Sequence, residues 1–339
     1  MSATVARIAY RYGLLVVLVG LLVFFSATKP RFRDWDNALI IFQSVAIVAI
    51  VALGVTVSMA AGGFDLSVGA NVSFVVMVTA LAMIRYDLSG VTAIIAGLLA
   101  GLLVAAVNTA LIVLARVPDL VATLGTLFIF QGLALIITSG KSVSIGMPIG
   151  DGEVATGQFA DWYRDLGNGE VLSIPVPVLF LAVIAALTYV FLAHTRWGRA
   201  MYAIGGNAAA ARLAGIPVQR YRALAYVISG VLAAIGGILL SARLGRGDIG
   251  AGNSYLLQAV SAALIGFAVL GANRPNAVGT LIGALFIGVL FNGLTMFNVP
   301  YYAQDFIQGV LLVLTLVLTY TLSGRVPRSS VNTSRSSAD

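Results

Sequence analysis

Formal charge is scarce in this 339-residue chain, because only 10% of the residues are Asp, Glu, Lys or Arg while 60% are hydrophobic. A soluble domain has roughly 25% charged and 45–50% apolar residues, so the composition excludes an ordinary soluble protein. The chain also has no cysteine and a single histidine, His194. These absences exclude a disulfide framework, a thiolate zinc site and a cysteine nucleophile. We therefore expect no catalytic residue, no metal site and no cofactor.

The 33 charged residues are clustered and leave ten gaps of 17 or more residues. The gaps are 12–28, 37–64, 66–84, 88–115, 120–140, 171–195, 223–242, 249–273, 275–304 and 306–324. A helix needs roughly 20 apolar residues to cross a bilayer core, with 17–25 as the usual range. The gaps also lack the alternation of an outer-membrane barrel. The sequence predicts an all-α polytopic membrane protein, one domain over 1–339, with about ten transmembrane helices between residues 12 and 322.

The distribution of charge predicts the orientation of these helices. When loops are assigned alternately to two sides, the side of both termini carries twelve cations and three acids, and the other side carries eight cations and ten acids. Cytoplasmic loops are enriched in Lys and Arg, so we expect both termini in the cytoplasm. The arginines are scattered at the ends of apolar runs instead of gathered on one face, which argues against nucleic-acid binding.

Three hydrophilic segments interrupt or end the apolar pattern. Residues 139–170 contain five acids and are expected to form a periplasmic loop. Residues 194–222 hold five arginines and no acid, and are expected to face the cytoplasm. Residues 326–339 are rich in Ser and Arg and are predicted to be disordered.

Two glycine-containing segments resemble each other. Residues 63–70 join predicted helices two and three, residues 271–280 join helices eight and nine, and both end in Val-Gly and a small residue. We interpret them as matching positions of two pseudo-repeated five-helix halves, because interrupted helices in duplicated halves are typical of transporters. The gating residues are then Gly63, Asp65, Leu66, Ser67, Gly69 and Gly279. The alternative is two glycine-rich turns between packed helices.

Two short motifs resemble nucleotide-binding sequences. Residues 245–250 match G-x-G-x-x-G, but they follow a predicted membrane helix instead of a strand, which excludes a dinucleotide fold. Gly140-Lys141-Ser142 resembles the end of a phosphate-binding loop, yet Leu135 stands where its first glycine is required. The chain therefore carries no ATP-binding loop of its own.

Asp65 is an acid at the edge of two apolar gaps. An ionised carboxylate at membrane depth is costly and usually faces a cavity or a partner, which would make Asp65 a substrate or proton site. The alternative, which we favour, is a helix cap that accepts hydrogen bonds from free backbone N–H groups before Leu66. A single acid supplies no proton relay.

Residues 205–217 have the features of a short helix. Asn207 is a favourable N-cap, four alanines follow it, and Gly215 and Pro217 end the helix. A helix of about two turns is marginal alone in water, so we expect a docking partner on its alanine face, next to the cation of Arg212. The alternative is an ordinary connecting helix on the membrane surface.

Five motifs, in this order and spacing, resemble the permease subunit of ribose-type ABC sugar importers, which transport ribose, xylose, arabinose and galactosides. They are Gly63–Gly69, Thr195–Arg199, Ala203–Asn207, Ala211–Ile216 and Val278–Ala284. The resemblance extends from about residue 10 to residue 322. It implies a non-catalytic permease in the bacterial inner membrane that pairs with itself or a similar permease, with two cytoplasmic ATPase subunits and with a periplasmic sugar-binding protein.

The resemblance also implies that residues 205–217 form the coupling segment that docks on the ATPase. Its residues are Gly205, Gly206, Asn207, Ala208, Ala211, Arg212, Gly215, Ile216 and Pro217. The chain departs from the family at Ala208, where a glutamate is common, and at Leu256-Leu257-Gln258, where relatives commonly show Glu-Leu-Asp. We therefore expect the partner binding protein and the substrate to differ from the ribose type.

The resemblance and the absence of charge within the gaps together predict import of a neutral sugar, a pentose or a hexose. Uncharged groups that could line its path are Asn71, Asn108, Gln131, Asn253, Gln258 and Asn292. Some of these amides could instead bond helices to each other. The alternatives are a branched-chain amino-acid or nucleoside permease of the same architecture, and an ion-coupled carrier.

Overall fold

A computed structural model describes residues 3–150, 153–268, 274–300, 302–304, 306–310 and 313. The α-helices are α1 Ala3–Thr28, α2 Trp35–Ala60, α3 Val68–Ala80, α4 Gly90–Thr109, α5 Asp119–Ile137, α6 Asp161–Asn168, α7 Val176–His194, α8 Arg196–Gly206, α9 Ala208–Leu213, α10 Val218–Leu244, α11 Ala251–Ala268 and α12 Ala277–Met296. A 3₁₀ turn covers Pro30–Arg33, and π-helical turns over Leu81–Arg85 and Ala110–Leu114 extend α3 and α4. Two antiparallel strand pairs join β1 Pro148–Gly150 to β2 Glu153–Val154 and β3 Glu170–Val171 to β4 Ile174–Pro175.

The apolar gaps of the sequence correspond to helices. Seven helices in the described part of the chain are long and apolar enough to cross a membrane, namely α2, α3, α4, α5, α7, α10 and α12 with their π-helical extensions. Helices α1 and α11 fill two further gaps. The gap 306–324 lies mostly outside the described residues, as does the tail 326–339. The all-α polytopic fold is confirmed, and the count of about ten stays a prediction.

Helices α2, α3 and α10 form the centre of the bundle. Residues 45–58 of α2 and residues 68–77 of α3 are buried without interruption, as expected for helices that are apolar on all sides. Helix α10 packs against α2, α3 and α4, and α12 packs against α2 and α11. Helix α5 instead exposes large apolar side chains such as Val121, Phe128 and Ile136, which suits a surface that faces lipid.

Helices α2–α3 and α10–α11 are related by a constant offset. Helix α10 begins 183 residues after α2 (218 − 35), and α11 begins 183 residues after α3 (251 − 68). Gly62 and Gly245, which end α2 and α10, keep this offset and both have positive φ, at 75° and 60°. Only glycine adopts this conformation without strain, so both helices end by the same turn chemistry.

The two connections share a further contact. The Oδ1 atom of Asp65 accepts a hydrogen bond from the N–H of Ser67 at 2.9 Å, and Oδ1 of Asp248 accepts one from the N–H of Gly250 at 3.0 Å. The first turns of α3 and α11 also lie in contact, at Gly69 and Gly252. Since α2 and α10 pack antiparallel, the two connections start from opposite ends of the bundle and converge at this contact.

This geometry supports two related halves but corrects the predicted match between them. The counterpart of residues 63–70 is the connection 245–252, and not the segment 271–280. The prediction was wrong because Val-Gly followed by a small residue is a common packing pattern, whereas the repeat is carried by helix spacing and turn chemistry. Residues 271–273 themselves lie outside the described part of the chain.

The two ends of the bundle carry different hydrophilic structure. At the first end, named the α6 end, α6 packs on α10, where the Tyr163 hydroxyl donates to the Ile238 carbonyl. At the second, named the α9 end, the predicted loop 194–222 contains two helices, α8 and α9, and the Tyr202 hydroxyl donates to the Pro275 carbonyl at 2.7 Å. Both predicted loops are thus folded onto the bundle.

Candidate functional site

The connection between α2 and α3, residues 61–67, is an ordered loop at the α9 end. Helix α2 ends in a Schellman motif, in which the N–H of Gly63 donates to the Ser58 carbonyl at 2.9 Å and the N–H of Gly62 donates to the Met59 carbonyl at 3.0 Å. We name residues 61–67 the α2–α3 loop. Its backbone is held by short-range hydrogen bonds, so its shape is defined by local sequence.

Asp65 is buried within this loop and its carboxylate is fully engaged. Its Oδ1 accepts from the N–H and the hydroxyl of Ser67, at 2.9 and 2.6 Å, and its Oδ2 accepts from the Ser229 hydroxyl of α10 at 2.7 Å. Asn108 of α4 donates to the Ser67 hydroxyl at 2.6 Å. The favoured interpretation named Asp65 as the cap, but the N-cap of α3 is Ser67, and Asp65 binds the N–H and the hydroxyl of that residue. The carboxylate therefore supports the start of α3 and ties the loop to α4 and α10.

A second acid, Asp119, holds the loop from the other side. It is the first residue of α5, and both of its carboxylate oxygens accept from the guanidinium of Arg222 on α10. The Tyr226 hydroxyl, one turn further along α10, donates to Oδ2 of Asp119 at 2.6 Å. The N–H of Phe64 lies 3.3 Å from that hydroxyl. We name Asp119, Arg222 and Tyr226 the Asp119 cluster.

The Asp119 cluster leaves no space for a side chain at Gly63. A side chain on Gly63 would place its Cβ 2.6 Å from Oδ2 of Asp119 and in overlap with the Tyr226 hydroxyl. The Thr123 hydroxyl of α5 also lies 3.2 Å from the Phe64 carbonyl. The loop is therefore clamped between α5 and α10, and a displacement of either helix would displace it.

Two cavities open at the α9 end on either side of this loop. One has a volume of about 560 Å³ and is lined by Asp119, Arg222 and residues 116–118. The other has about 780 Å³ and is lined by Tyr202, Phe267 and Arg274. Residues Gly62, Gly63, Phe64 and Leu120 line both cavities. The α2–α3 loop, with Phe64, therefore forms the partition that separates these two cavities.

Helix α9 confirms the predicted cap and stop. The Oδ1 atom of Asn207 accepts from the N–H groups of Ala209 and Ala210, both at 3.0 Å, and Gly215 follows the helix with a left-handed conformation at φ 78°. Ala211 packs inward against Ile204 and Val218, together with the half-buried Ile216. Ala208, Arg212 and Leu213 point outward, and Leu213 is 92% exposed.

Helix α8 connects α9 to the α2–α3 loop. Gly205 and Gly206 end α8, and Gly205 approaches the backbone so closely that a Cβ there would lie 2.6 Å from the Ala60 carbonyl oxygen. Pro217 directly precedes α10, which carries Arg222 and Tyr226. The predicted coupling residues therefore contact the loop through both α8 and α10.

The six predicted path amides separate into three pairs. Asn71 donates to the carbonyls of Gly101 and Gly230, and Asn108 supports Ser67, so these two bond helices together as the alternative interpretation expected. Gln131 of α5 donates to Asn253 of α11 at 3.3 Å on an exposed face. Gln258 and Asn292 line a third cavity, at the α6 end.

The remaining predicted gating residues act in packing. Leu66 packs on the main apolar core. Gly279 lies at the start of α12, where its N–H donates to the N-cap Asn276 at 2.7 Å and its Cα faces the Gly266 backbone. From the sequence, Asp119 and Arg222 entered only the count of charges that predicts membrane orientation. No local pattern links the two residues, because they are 103 positions apart.

Comparison with known proteins assigns the chain to a family. The family described as "Branched-chain amino acid transport system / permease component" matches residues 37–316. The chain belongs to this permease family. The ATPase is a separate subunit in this family, so the chain itself is non-catalytic, acts with ATPase and binding-protein partners, and is a multi-pass inner-membrane protein.

Three relatives match over nearly their full length. The ribose import permease protein RbsC of Escherichia coli K12 is 33% identical over 90% of this chain and 92% of its own. The probable ABC transporter permease protein YphD of the same organism is 35% identical over 95% and 92%. The autoinducer 2 import system permease protein LsrD of Escherichia coli O9:H4 is 33% identical over 91% and 92%. No solved structure matches the chain.

Proposed function

We propose that this permease imports a sugar of pentose or hexose size, and that separate ATPase subunits supply the energy by docking on α9. Its relatives include permeases named for ribose import, which favours a sugar over the branched-chain amino acid in the family description. The α9 end would face the cytoplasm with both termini, and the α6 end would receive the sugar-binding protein. A second permease copy, identical or similar, would complete the membrane unit.

The observation that carries this proposal is the contact route from α9 to the α2–α3 loop. Helix α9 packs on α8 and α10, α8 touches the end of α2 at Ala60, and α10 holds the loop through Arg222 and Tyr226. Closure of an ATPase dimer would shift α9, and this route would transmit the shift to the partition between the two cavities. Coupling then requires that the α2–α3 loop adopt two positions, and it requires no chemical step in the chain.

Replacing both Asn207 and Arg212 with Ala should uncouple transport. The cap bonds to Ala209 and Ala210 and the exposed cation of α9 are lost, while the buried bundle is unchanged. We expect sugar uptake by cells that express the full importer to fall at least ~10-fold with normal membrane insertion. Arg196→Ala, which removes an exposed cation at the start of α8, is the matched control. Unchanged uptake in the double variant would reject the coupling assignment.

Leu213→Glu should separate the ATPase from the permease. A large apolar side chain that is 92% exposed at the end of α9 suits the centre of a docking contact, and a carboxylate buried there would be unpaired. We expect the amount of ATPase that co-purifies with the permease to fall at least ~10-fold. Leu172→Glu, equally exposed at 92% but located at the α6 end, should leave co-purification unchanged. Equal co-purification of both variants with the parent chain would exclude α9 as the docking helix.

A further inference from the structure

A cavity of about 340 Å³ at the α6 end contains a cation that the proposed coupling mechanism does not use. The cavity lies between α2, α10, α11 and α12, and Arg243, in the last turn of α10, lines it together with Gln258 and Asn292. Its guanidinium donates to the Ser44 hydroxyl at 3.1 Å. Among the described residues no carboxylate pairs with Arg243, although the ion pairs Arg222–Asp119 and Arg246–Asp248 are present elsewhere.

The lining of this cavity offers both donors and acceptors to a ligand. Oδ1 of Asn292 is buried and has no hydrogen-bond partner in the described part of the chain, while its amide group donates to Asn37 at 2.9 Å. Buried polar atoms are nearly always paired in native proteins, so Asn292, which lines the cavity, has an acceptor that no other described group uses. The rings of Tyr255 and Phe291 form apolar walls of the same cavity.

These features fit a small hydroxylated molecule better than an apolar one. Ligand sites combine apolar walls with a few placed polar groups, and rings of Tyr and Phe suit the C–H faces of a sugar. An arginine near a membrane core is costly without a partner, and a guanidinium has five N–H donors of which Ser44 accepts from one group. The remaining donors match the two oxygens of a carboxylate in a bidentate contact. A phosphate carries about two charges and would require a further cation, whereas Arg243 is the only described cation that lines the cavity.

We propose that this cavity is a cargo subsite for a sugar acid, in which Arg243 binds the carboxylate and Asn292 accepts from a hydroxyl. The inference rests on the proposed function as a sugar permease and specifies its cargo. A sugar acid differs from the neutral sugar expected from the sequence. That expectation considered only charges within the apolar gaps, and Arg243 lies directly after the gap 223–242.

Equilibrium binding to the purified full chain in lipid nanodiscs tests the subsite without the ATPase or the binding protein. Galacturonate, galactose and acetate are the probes, because galacturonate differs from galactose only in the carboxylate and acetate has no ring hydroxyls. We expect galacturonate to bind at least ~10-fold more tightly than either of the others, as a charge-assisted bidentate contact implies. Equal or tighter binding of galactose, or no binding of galacturonate, would overturn the proposal.

Variants locate the binding in the cavity. Arg243→Gln should weaken galacturonate binding at least ~10-fold, Arg243→Lys should weaken it less, and Gln258→Asp should weaken it by placing an acid beside Arg243. Arg246→Gln, which changes a neighbouring exposed cation outside the cavity, should bind as the parent chain does. If Arg243→Gln keeps parental affinity and a parental melting temperature, the subsite is excluded. Import of a neutral sugar by the complete importer, with no galacturonate binding, would overturn this inference while leaving the proposed function intact.

Discussion

Replacing Asp119 with Asn is expected to lower sugar uptake at least ~10-fold and the free energy of unfolding by about 2 kcal/mol. The substitution removes the charge that pairs with Arg222 and weakens the bond from the Tyr226 hydroxyl. Exposed ion pairs contribute below about 1 kcal/mol and breaking a fully buried pair costs about 3–5. The side chains of Arg222 and Asp119 are 25% and 11% exposed, which places this pair between the two limits.

The loss of uptake would arise from release of the α2–α3 loop. The Asp119 cluster holds the N–H of Phe64 and fills the space beside Gly63, so an uncharged residue at position 119 loosens the partition between the two cavities. Thermal unfolding of the purified chain and uptake by the full importer measure the two effects separately.

A double-mutant cycle is the control for this prediction. Asp119→Asn, Arg222→Gln and the double variant should show a coupling energy of at least about 1 kcal/mol, because each single change leaves an uncompensated partner. Additive effects of the two changes on both stability and uptake would show that the pair is not a functional contact.

Replacing Gly252 with Val is expected to prevent accumulation of folded permease. A Cβ on Gly252 would overlap the Gly69 carbonyl oxygen and would lie 2.6 Å from the Ser73 hydroxyl. This contact joins the starts of α3 and α11, the point at which the two related halves meet. Overpacking of a close backbone contact costs about 3 kcal/mol or more when neither side can move.

Gly250 provides the matched control for Gly252. It lies two residues earlier on the same connection, and the nearest neighbour of a Cβ at this position would be Oδ1 of Asp248, at an ordinary contact distance of 3.7 Å. Gly250→Ala should therefore accumulate and melt as the parent chain does, whereas Gly252→Ala should already melt lower. Fluorescence-detected size exclusion in detergent compares the variants, and normal accumulation of Gly252→Val would contradict the predicted interface.

Much of the fold follows from local sequence. Within the described part of the chain, nine of the apolar gaps contain a helix and the tenth lies mostly outside it, because length and apolarity suffice to define a membrane-crossing segment. The cap of α9 by Asn207 also follows from residue type and position. These features depend on neighbours within a few residues, which a sequence displays directly.

The functional contacts between distant segments do not follow in this way. In the sequence, Asp119 and Arg222 are two ordinary charges near the starts of separate helices. They come into contact only because the folded bundle places the start of α5 beside α10. The equivalence of Asp65 and Asp248 was missed although residues 62–69 and 245–252 share Gly, Asp and Gly at the same spacing, because residues 245–250 were compared only with the G-x-G-x-x-G motif. Arg243 was counted among the loop charges, although its side chain reaches back into a cavity as long cationic side chains near membrane ends do.

The most direct test of the account is the energy source of uptake. Right-side-out membrane vesicles that contain the chain with its ATPase and binding protein would be loaded with ATP, and uptake of labelled sugar would be followed with and without a proton and sodium gradient. We expect uptake that requires ATP inside, persists after both gradients are dissipated, and stops in the Asn207→Ala, Arg212→Ala variant. Uptake driven by an ion gradient in the absence of ATP would contradict it.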